Sequence, residues 1–481
     1  MRVLNMNNPI AGQKFKYFTF LWALVIYFEH FLNIHSFSTL IGQINILSIL
    51  MIFRWSGVSL ILFWASSLVY LFWGIRITHS HTFYIFLITF NVVVMLLFSI
   101  FNISDINRRR EDIFKKIAPM IRLYVVGIYF FSFLAKINAD FLNPEFSCAS
   151  IMITFLQKNH PLLFGFSWEK LVMICATLAF EGSLPVLFIF KSTRPWAFCF
   201  GIMYHFLLGI LSRIGPLPGF AKSIFSLLML VLFFSFLDDA VFGYIASWVQ
   251  KTKTALKRIV PTVFIRHLVI TSSIYLPLCF TYFYAPQKFI YWKYVLLTIY
   301  AFIGFVYISG ILRSHPYASK NTNDDRSLKK YFFPHPIYQI SMGVLLLLNS
   351  LGPYLGIKTN TSLTMFSNLR TLGPQPNHYI FPSSMVIFKQ DLVKIINSDN
   401  PIFRKYINNH FLLTAFEFRR IANQINGNFY VKCLYKGKVV TLSKTNGGHS
   451  DHPLLKPVSW AAQQLIDFGD VDELEHCRCE A

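Results

Sequence analysis

The sequence predicts an all-α polytopic membrane protein with ten or eleven transmembrane helices and a small external α+β C-terminal module. Composition gives the first observation: the 481 residues are 54% hydrophobic and 14% charged, and the mean hydropathy is +0.49. A soluble chain carries about 25% charged residues. The other two observations are the long runs in which the apolar residues occur and the change to alternating apolar and polar positions in the tail after residue 355.

Ten apolar runs approach the roughly 20 residues that a helix needs to cross a bilayer. They are 15–34, 57–75, 82–102, 118–137, 169–190, 196–213, 219–237, 268–285, 289–312 and 336–355. A shorter run, 40–53, is open between a crossing, a re-entrant segment and an interfacial helix. If it crosses, it is the eleventh span.

Basic residues alternate from loop to loop, and basic loops stay in the cytoplasm. Three loops hold five Lys and Arg each, namely 103–117, 238–266 and 313–335, and loop 191–195 holds two. The intervening loops hold one, one, none and one, in the order 76–81, 138–168, 214–218 and 286–288. This pattern predicts that the tail lies outside the cell. The net charge of +22 is spread over the loops, which favours anionic lipid over nucleic acid as a partner.

The chain therefore divides into a transmembrane core (1–312), a cytoplasmic loop with the last span (313–355) and an external domain (356–481). In the external domain, FYVKCLYKGKVVTL (429–442) alternates between turn residues and predicts a hairpin. Residues 410–425 have helical apolar spacing. The tail contains no phosphate loop and no nucleophile elbow, and its Cys477 and Cys479 are too few for a zinc site, so no metal is predicted.

One apolar stretch, residues 120–141, ends in a candidate functional lysine, Lys136. A lysine at the end of a span is costly to keep there and is a functional candidate, although a side chain that snorkels to the interface explains it as well. Arg122, Tyr129 and Lys136 are seven residues apart, so helical spacing predicts one stripe. Asp140, one turn further on, is expected to favour the charged amine.

Further polar residues fall in or beside apolar runs. His81 opens one predicted span, and His205 lies in the outer half of another, so the topology predicts both at the depth of Lys136 and on the same side. Glu181 lies in mid-span, four residues before Pro185. Solvation explains His81 as well as a functional role, and a structural role explains His205 and Glu181 as well.

Three segments resemble the horizontally transferred transmembrane (HTTM) domain family, which includes the vitamin K-dependent gamma-carboxylases. The first, YFFSFLAKINADF (129–141), is similar to the carboxylase segment in which a Tyr, and then a Lys followed by Leu-Asp-Ala-Asp-Trp, end a span. The second, His81 to Tyr84, is similar to a His-Ser-Tyr segment. The third contains Glu181, Thr193-Arg194, Tyr204-His205 and Gly219-Phe220 in the order typical of the family.

The resemblance covers roughly residues 15–310, and a later stretch from Gly356 to His378 looks like one that follows the domain in bacterial members. Asn138 stands where the family has Asp, and Phe141 where it has Trp. The region after residue 355 is also much shorter than the external region with which the carboxylases engage their glutamate substrate.

The resemblance implies a membrane enzyme with lyase-type chemistry that uses reduced vitamin K of the menaquinone type, with O2 and CO2 as co-substrates. Lys136 would be the base, and His81 or His205 would hydrogen-bond the second quinone oxygen. Tyr129, Arg122 and Glu181 would line the cofactor site. Such a base must be a neutral amine, and removal from water favours the neutral form of a lysine. The expected location is a bacterial inner membrane. The expected substrate is a peptide or protein on its external side.

A second class of function stays open. HTTM domains also occur in a bacterial toxin-maturation protein, so the same pocket would serve a non-catalytic receptor, accessory or immunity-type protein that binds a lipid or peptide. Binding without turnover distinguishes this class from the enzyme.

Overall fold

The structure is a computed structural model, and its two compact units are each discontinuous in sequence. Unit 1 comprises Met1–Arg76, His81–Gly127 and Gly182–Val344; unit 2 comprises Ile77–Ser80, Ile128–Glu181 and Leu345–Ala481. Within them the structure describes residues 10–33, 39–52, 56–74, 79–102, 106–159, 166, 168–211, 220–259, 289–318, 331–333, 336–364, 366–445, 448–449 and 452–473.

Helices dominate the described residues, and a small sheet follows them. The helices are α1 (Ile10–Leu32), α2 (Leu40–Met51), α3 (Gly57–Val69), α4 (Ser80–Asn102), α5 (Ile106–Ala135), α6 (Ala139–Leu142), α7 (Cys148–Asn159), α8 (Trp168–Ile189), α9 (Arg194–Leu211), α10 (Phe220–Phe233), α11 (Asp239–Ile259), α12 (Phe289–Ala318), α13 (Pro336–Leu355), α14 (Pro401–Asn408), α15 (Ala415–Gln424) and α16 (Trp460–Leu465). The strands are β1 (Leu392–Ser398), β2 (Phe411–Thr414), β3 (Phe429–Tyr435), β4 (Lys438–Thr445), β5 (Gly448–His449) and β6 (Val471–Asp472).

Among the residues that the structure describes, four stretches of helix are long and apolar enough to cross a bilayer, as predicted for a membrane-embedded protein. They are Ser80–Ser99, Arg110–Ala135, Trp168–Ile189 and Tyr294–Arg313. They match the predicted runs 82–102, 118–137, 169–190 and 289–312. A further pair, Ser223–Phe236 and Asp239–Thr252, is bent by 119° and makes a fifth crossing if it is one span.

The other predicted runs have mixed outcomes. The run 40–53 forms the 12-residue α2, which is short for a crossing. Residues 57–73 and 340–355 are also shorter apolar helices. The run 268–285 lies outside the described residues, and the total of ten or eleven spans stays a prediction.

Unit 1 is built around buried aromatic rings on its first helices. Trp22 of α1 packs against Phe18 with ring centroids 5.5 Å apart and against Trp64 of α3 at 6.0 Å. Its indole N–H donates to Thr89 of α4 at 3.1 Å, because a buried donor needs a partner. α3 starts at a capping box formed by Ser56 and Ser59, and it continues into a π-helical turn, residues 70–74.

The C-terminal part of unit 2 is a six-stranded antiparallel sheet in the order β5-β4-β3-β1-β2-β6. The predicted hairpin is confirmed: β3 pairs with β4 through Lys436-Gly437, whose φ angles of 51° and 74° suit a tight turn with two left-handed residues. Phe403 and Phe418, whose rings lie 5.0 Å apart, anchor the core on α14 and α15.

The predicted helix over 410–425 begins later than its apolar spacing indicates. Residues 411–414 form β2, which pairs with β1 and β6. Thr414 is extended, and its side chain accepts the N–H of Glu417, so it caps α15. The apolar residues 411–413 are compatible with a helix and with a strand. The segment forms a strand because it pairs with β1 and β6.

Candidate functional site

Lys136 lies one residue beyond α5, and its side chain forms a buried ion pair with Glu181 of α8. Its Nζ is 2.8 Å from a carboxylate oxygen of Glu181 on α8, and the two side chains are 3% and 9% exposed. The amine also donates to the Ser132 hydroxyl at 2.9 Å. The centroid of the Phe141 ring lies 5.8 Å from Nζ, so the ring covers another side of the amine. The predicted base and a predicted cofactor-binding residue are therefore direct partners.

Local sequence explains why the chain turns at this point. The N–H of Lys136 bonds to the carbonyl of Phe133 at 3.0 Å, which tightens the last turn of α5. Asn138 then caps the short α6 by accepting the N–H of Phe141 at 2.8 Å. The Asn that departs from the family pattern thus has a structural role as a helix cap.

Asp140 has a partner that the sequence did not predict. Its carboxylate lies 3.0 Å from the guanidinium of Arg370 and accepts the side-chain amide of Asn377 at 2.8 Å. The side chain of Asn377 also donates to the carbonyl of Asn368 at 2.7 Å. This cluster joins the turn after α5 to the irregular segment after α13, all within unit 2. It fixes the backbone that carries Lys136.

The predicted stripe of Arg122, Tyr129 and Lys136 is interrupted, because α5 ends at Ala135. Tyr129 is buried, and it belongs with Lys136 to unit 2, whereas Arg122 belongs to unit 1. The guanidinium of Arg122 donates to the carbonyl of Ser235 at 2.9 Å and lies 3.8 Å from the ring of Tyr331. These contacts lie within unit 1 and pack the part of α5 that belongs to it.

His81 lies in a separate polar cluster inside unit 1. Its Nε2 is 3.5 Å from a carboxylate oxygen of Glu29, and the hydroxyl of Thr82 donates to the other oxygen at 2.6 Å. All three side chains are buried. Glu29 therefore accounts for the burial of His81, and a solvated histidine is excluded.

A second buried histidine extends this cluster. His30 is 2.9 Å from the side-chain oxygen of Asn45, whose amide donates to Ser66 and Ser67 at 3.0 and 2.9 Å. The ring of His30 stacks on Tyr70 at 4.0 Å, where the π-helical turn begins. Because π-turns inside helices often occur at functional sites, this cluster is a second candidate site.

His205 is also in unit 1, and it lies among aromatic rings. The nearest are those of Tyr204, Phe225 and Phe233, at centroid distances of 5.4, 5.5 and 6.3 Å. Its backbone carbonyl accepts the hydroxyl of Ser226 at 3.0 Å. Lys136 and Glu181 thus form one group in unit 2, while His81 and His205 have different neighbours in unit 1.

Arg370 and Asn377 were not among the predicted site residues. Both lie in the stretch from Gly356 to His378, for which a resemblance to bacterial HTTM members is expected from the sequence, and that expectation was the signal for them. Among the described residues no three His, Cys, Asp or Glu side chains are grouped to hold a metal ion. Cys148 is disulfide-bonded, whereas Cys175 and Cys433 are free thiols.

The Lys136 group brings an amine, a carboxylate and a hydroxyl together at a buried position. Burial of an ion pair carries a desolvation cost, which a merely structural contact repays poorly. A ligand with an acidic O–H would meet the amine, the carboxylate and the Ser132 hydroxyl together.

In comparisons with known proteins, no family model, no curated protein and no solved structure matches this chain.

Proposed function

We propose that this chain is a quinone-dependent membrane enzyme of the HTTM type, in which Lys136 is the base and Glu181 is its proton partner. The observation that carries the proposal is the buried pair of Lys136 and Glu181, 2.8 Å apart at the end of an apolar helix. A buried charge pair is weak evidence for stability, so a functional role accounts for it better.

The residues around Lys136 fit a reduced quinone of the menaquinone or vitamin K type. A phenolic O–H needs an acceptor, and Nζ of Lys136 provides one when the proton of the pair resides on Glu181. The Ser132 hydroxyl, 2.9 Å from the amine, orients Nζ. Reduced quinone and O2, when bound, would supply the strong base that removes a proton from carbon, and CO2 would be the co-substrate that adds to the resulting carbanion.

Asp140 and Arg370 serve the reaction by position. They hold the turn that follows α5, so the amine stays directed at Glu181 when the ligand is absent. Such preorganisation reduces the reorganisation that the reaction would otherwise require. The aromatic ring of Phe141 contributes to keeping water from the amine.

The same proposal includes the finer topology. We infer ten or eleven crossings in a bacterial inner membrane, with the sheet of unit 2 outside and a peptide or protein substrate reaching it there. The disulfide of Cys148 supports an external location for loop 138–168, because disulfides persist in oxidising compartments. The alternation of basic loops supports the same orientation.

The test uses purified protein in nanodiscs supplied with reduced menaquinone or vitamin K and oxygen, with quinone epoxide as the product. Wild type should form epoxide, and Lys136→Ala should lose about 10²- to 10⁴-fold in rate, as expected for a general base. The matched control is Lys170→Ala, since Lys170 pairs with Glu145 at 2.9 Å on the exterior of the same unit.

The alternative function is that of a receptor, accessory or toxin-maturation protein. The same pair supports it if Lys136 and Glu181 bind a lipid or peptide and do not react with it. A folded wild type that binds quinone or lipid but forms no epoxide would establish this alternative. Equal rates for wild type and Lys136→Ala would remove the base from the proposal.

A further inference from the structure

Ten consecutive residues of unit 2, YIFPSSMVIF (379–388), carry no charge and project large apolar side chains outward. We call them the apolar loop. Five of its side chains are half or more exposed: Tyr379 64%, Ile380 50%, Met385 55%, Ile387 69% and Phe388 54%. Soluble monomers rarely expose apolar side chains so close together, and such a patch marks an interaction surface.

Both ends of the apolar loop are tied to the ends of apolar helices. At its start, the N–H of Tyr379 donates to the carbonyl of Ile137, two residues after α5. At its end, the N–H of Phe388 donates to the carbonyl of Leu355, the last residue of α13, at 2.9 Å. The ring of Phe381 packs on Tyr354 with centroids 4.5 Å apart.

These ties fix the depth of the apolar loop relative to a bilayer. The apolar helix Arg110–Ala135 has 26 residues. At about 1.5 Å per residue it is roughly 39 Å long, which exceeds the hydrocarbon core of roughly 30 Å. The charged residues of its first turns, Arg110 to Lys116, lie in one headgroup layer, so residues 117–135, roughly 29 Å long, bring Ala135 to the opposite headgroup layer, where the apolar loop starts.

Neighbouring surfaces continue the apolar character. On α13, Leu345, Leu347 and Leu348 are 41–48% exposed, about two to three turns before the helix ends at Leu355. On α8, Trp168 is 57% exposed and stacks on Phe166 with centroids 5.9 Å apart. Lipid-facing leucines and an aromatic pair at a helix end are typical of the membrane interface.

We propose that the apolar loop inserts into the headgroup layer of the bilayer and anchors the sheet of unit 2 to the membrane surface. Tyr379 and Phe388 lie at the two ends of the loop, where aromatic rings favour the interface, and Ile380, Met385 and Ile387 reach towards the acyl chains. Lys389 directly follows and meets lipid phosphate. The partner is the phospholipid bilayer, and the proposal does not depend on any catalytic activity.

Photo-crosslinking on the full chain tests this directly. p-Benzoylphenylalanine replaces Ile387 in one variant and Tyr379 in another, and each is reconstituted in phosphatidylcholine vesicles with or without phosphatidylglycerol. The matched control carries the probe at Val439, which is 57% exposed on β4 of the same unit. After irradiation, mass spectrometry separates lipid adducts from protein adducts.

The expected result is a several-fold higher yield of phospholipid adduct at positions 387 and 379 than at 439, in both lipid mixtures. Adduct yields equal to the control at both positions would overturn the proposal. Adducts to a second copy of the chain would overturn it as well, because they would make the loop an oligomer contact. If one variant does not fold, the other decides, since the two probes occupy opposite ends of the loop.

Discussion

The amine of Lys136 and the carboxylate of Glu181 lie 2.8 Å apart, on side chains that are 3% and 9% exposed. Removal of one partner from such a pair leaves a buried charge without compensation. We therefore expect Glu181→Ala to lower the free energy of unfolding by about 3–5 kcal/mol. Glu145→Ala, which breaks the exposed pair with Lys170, should cost about 0–1 kcal/mol.

Denaturant unfolding in detergent, followed by circular dichroism, measures both variants. The double variant Lys136→Met, Glu181→Leu should recover most of the lost stability, because an apolar pair replaces a buried ion pair at little cost. If Glu181→Ala cost no more than Glu145→Ala, the buried pair would not be formed in solution.

Asp140 and Arg370 should be coupled energetically. Their charged groups are 3.0 Å apart, and both residues share Asn377. A double-mutant cycle of Asp140→Asn and Arg370→Gln should give an interaction energy of about 0.5–3 kcal/mol. Arg419→Gln is the control, since the guanidinium of Arg419 donates to the backbone carbonyls of Lys456 and Pro457, and its cycle with Asp140 should close near zero. A vanishing coupling for Arg370 would remove the cluster from the support of Lys136.

The lysine that follows α13, Lys358, should make stability depend on pH. Burial lowers its pKa from 10.5 to about 8, and the nearby charge of Asp467 opposes this shift. The unfolded chain then binds the proton more tightly than the native state, so stability should rise with pH. We expect a gain of about 2 kcal/mol between about pH 8 and about pH 10.

Denaturant titrations of wild type and Lys358→Met measure this gain, which the variant should lack. The hydroxyl of Thr361 accepts from the amine at 3.1 Å, so Thr361→Val serves as a control that keeps the lysine. A gain of the same size in Lys358→Met would assign it to another group.

Two glycines with similar backbone conformations differ in the space around them. Replacing each by alanine compares the cost of a left-handed backbone alone with that cost plus a steric clash. Gly356 and Gly437 have φ angles of +75° and +74°. A Cβ at Gly437 would meet nothing within 4 Å, whereas at Gly356 it would lie 2.2 Å from the backbone oxygen of Phe388. We expect Gly437→Ala to cost about 1 kcal/mol, the penalty of a left-handed non-glycine residue.

Gly356→Ala should cost clearly more, because the backbone at the end of the apolar loop must move. Thermal unfolding of both variants gives the comparison, and lipid crosslinking at Ile387 should fall in Gly356→Ala alone. Equal costs for the two variants would show that the contact between Gly356 and Phe388 gives way without strain.

A buried hydroxyl that donates to a carboxylate should matter more than one that accepts from a neutral donor. Thr82 donates to Glu29 at 2.6 Å, and Thr89 accepts from Trp22 at 3.1 Å. Thr82→Val should cost about 1.5–3 kcal/mol and Thr89→Val about 1 kcal/mol, as measured by denaturant unfolding. The reverse order would mean that the hydrogen bond from Thr82 to Glu29 is not formed in solution.

Local patterns predicted the elements, whereas distant pairings required the structure. Alternation and turn residues were enough for the hairpin of β3 and β4, because its partners are adjacent in sequence. The strand 411–414 was missed, since its partners β1 and β6 lie on either side of it along the chain. Apolar runs located the four long helices because length and composition alone decide whether a helix can cross.

The candidate site shows the same limit. Lys136 stood out through its cost at a span end, but nothing in the spacing selects Glu181, 45 residues later, as its partner. Asp140 was expected to act on the amine through helical spacing. Asn138 instead starts a new helix, and Arg370 approaches Asp140 from the last third of the chain.

Unit 2 is discontinuous in sequence, so residues that are in contact in the folded protein are synthesised at different times. Asp140 and Asn377 are 237 residues apart. At about 5–20 residues per second, roughly 10–50 s pass between the translation of the first and that of the second. The turn that carries Lys136 is therefore synthesised well before the residues that fix it. A nascent chain that ends before residue 370 carries the Asp140 carboxylate without Arg370 and Asn377, its two partners in the folded protein.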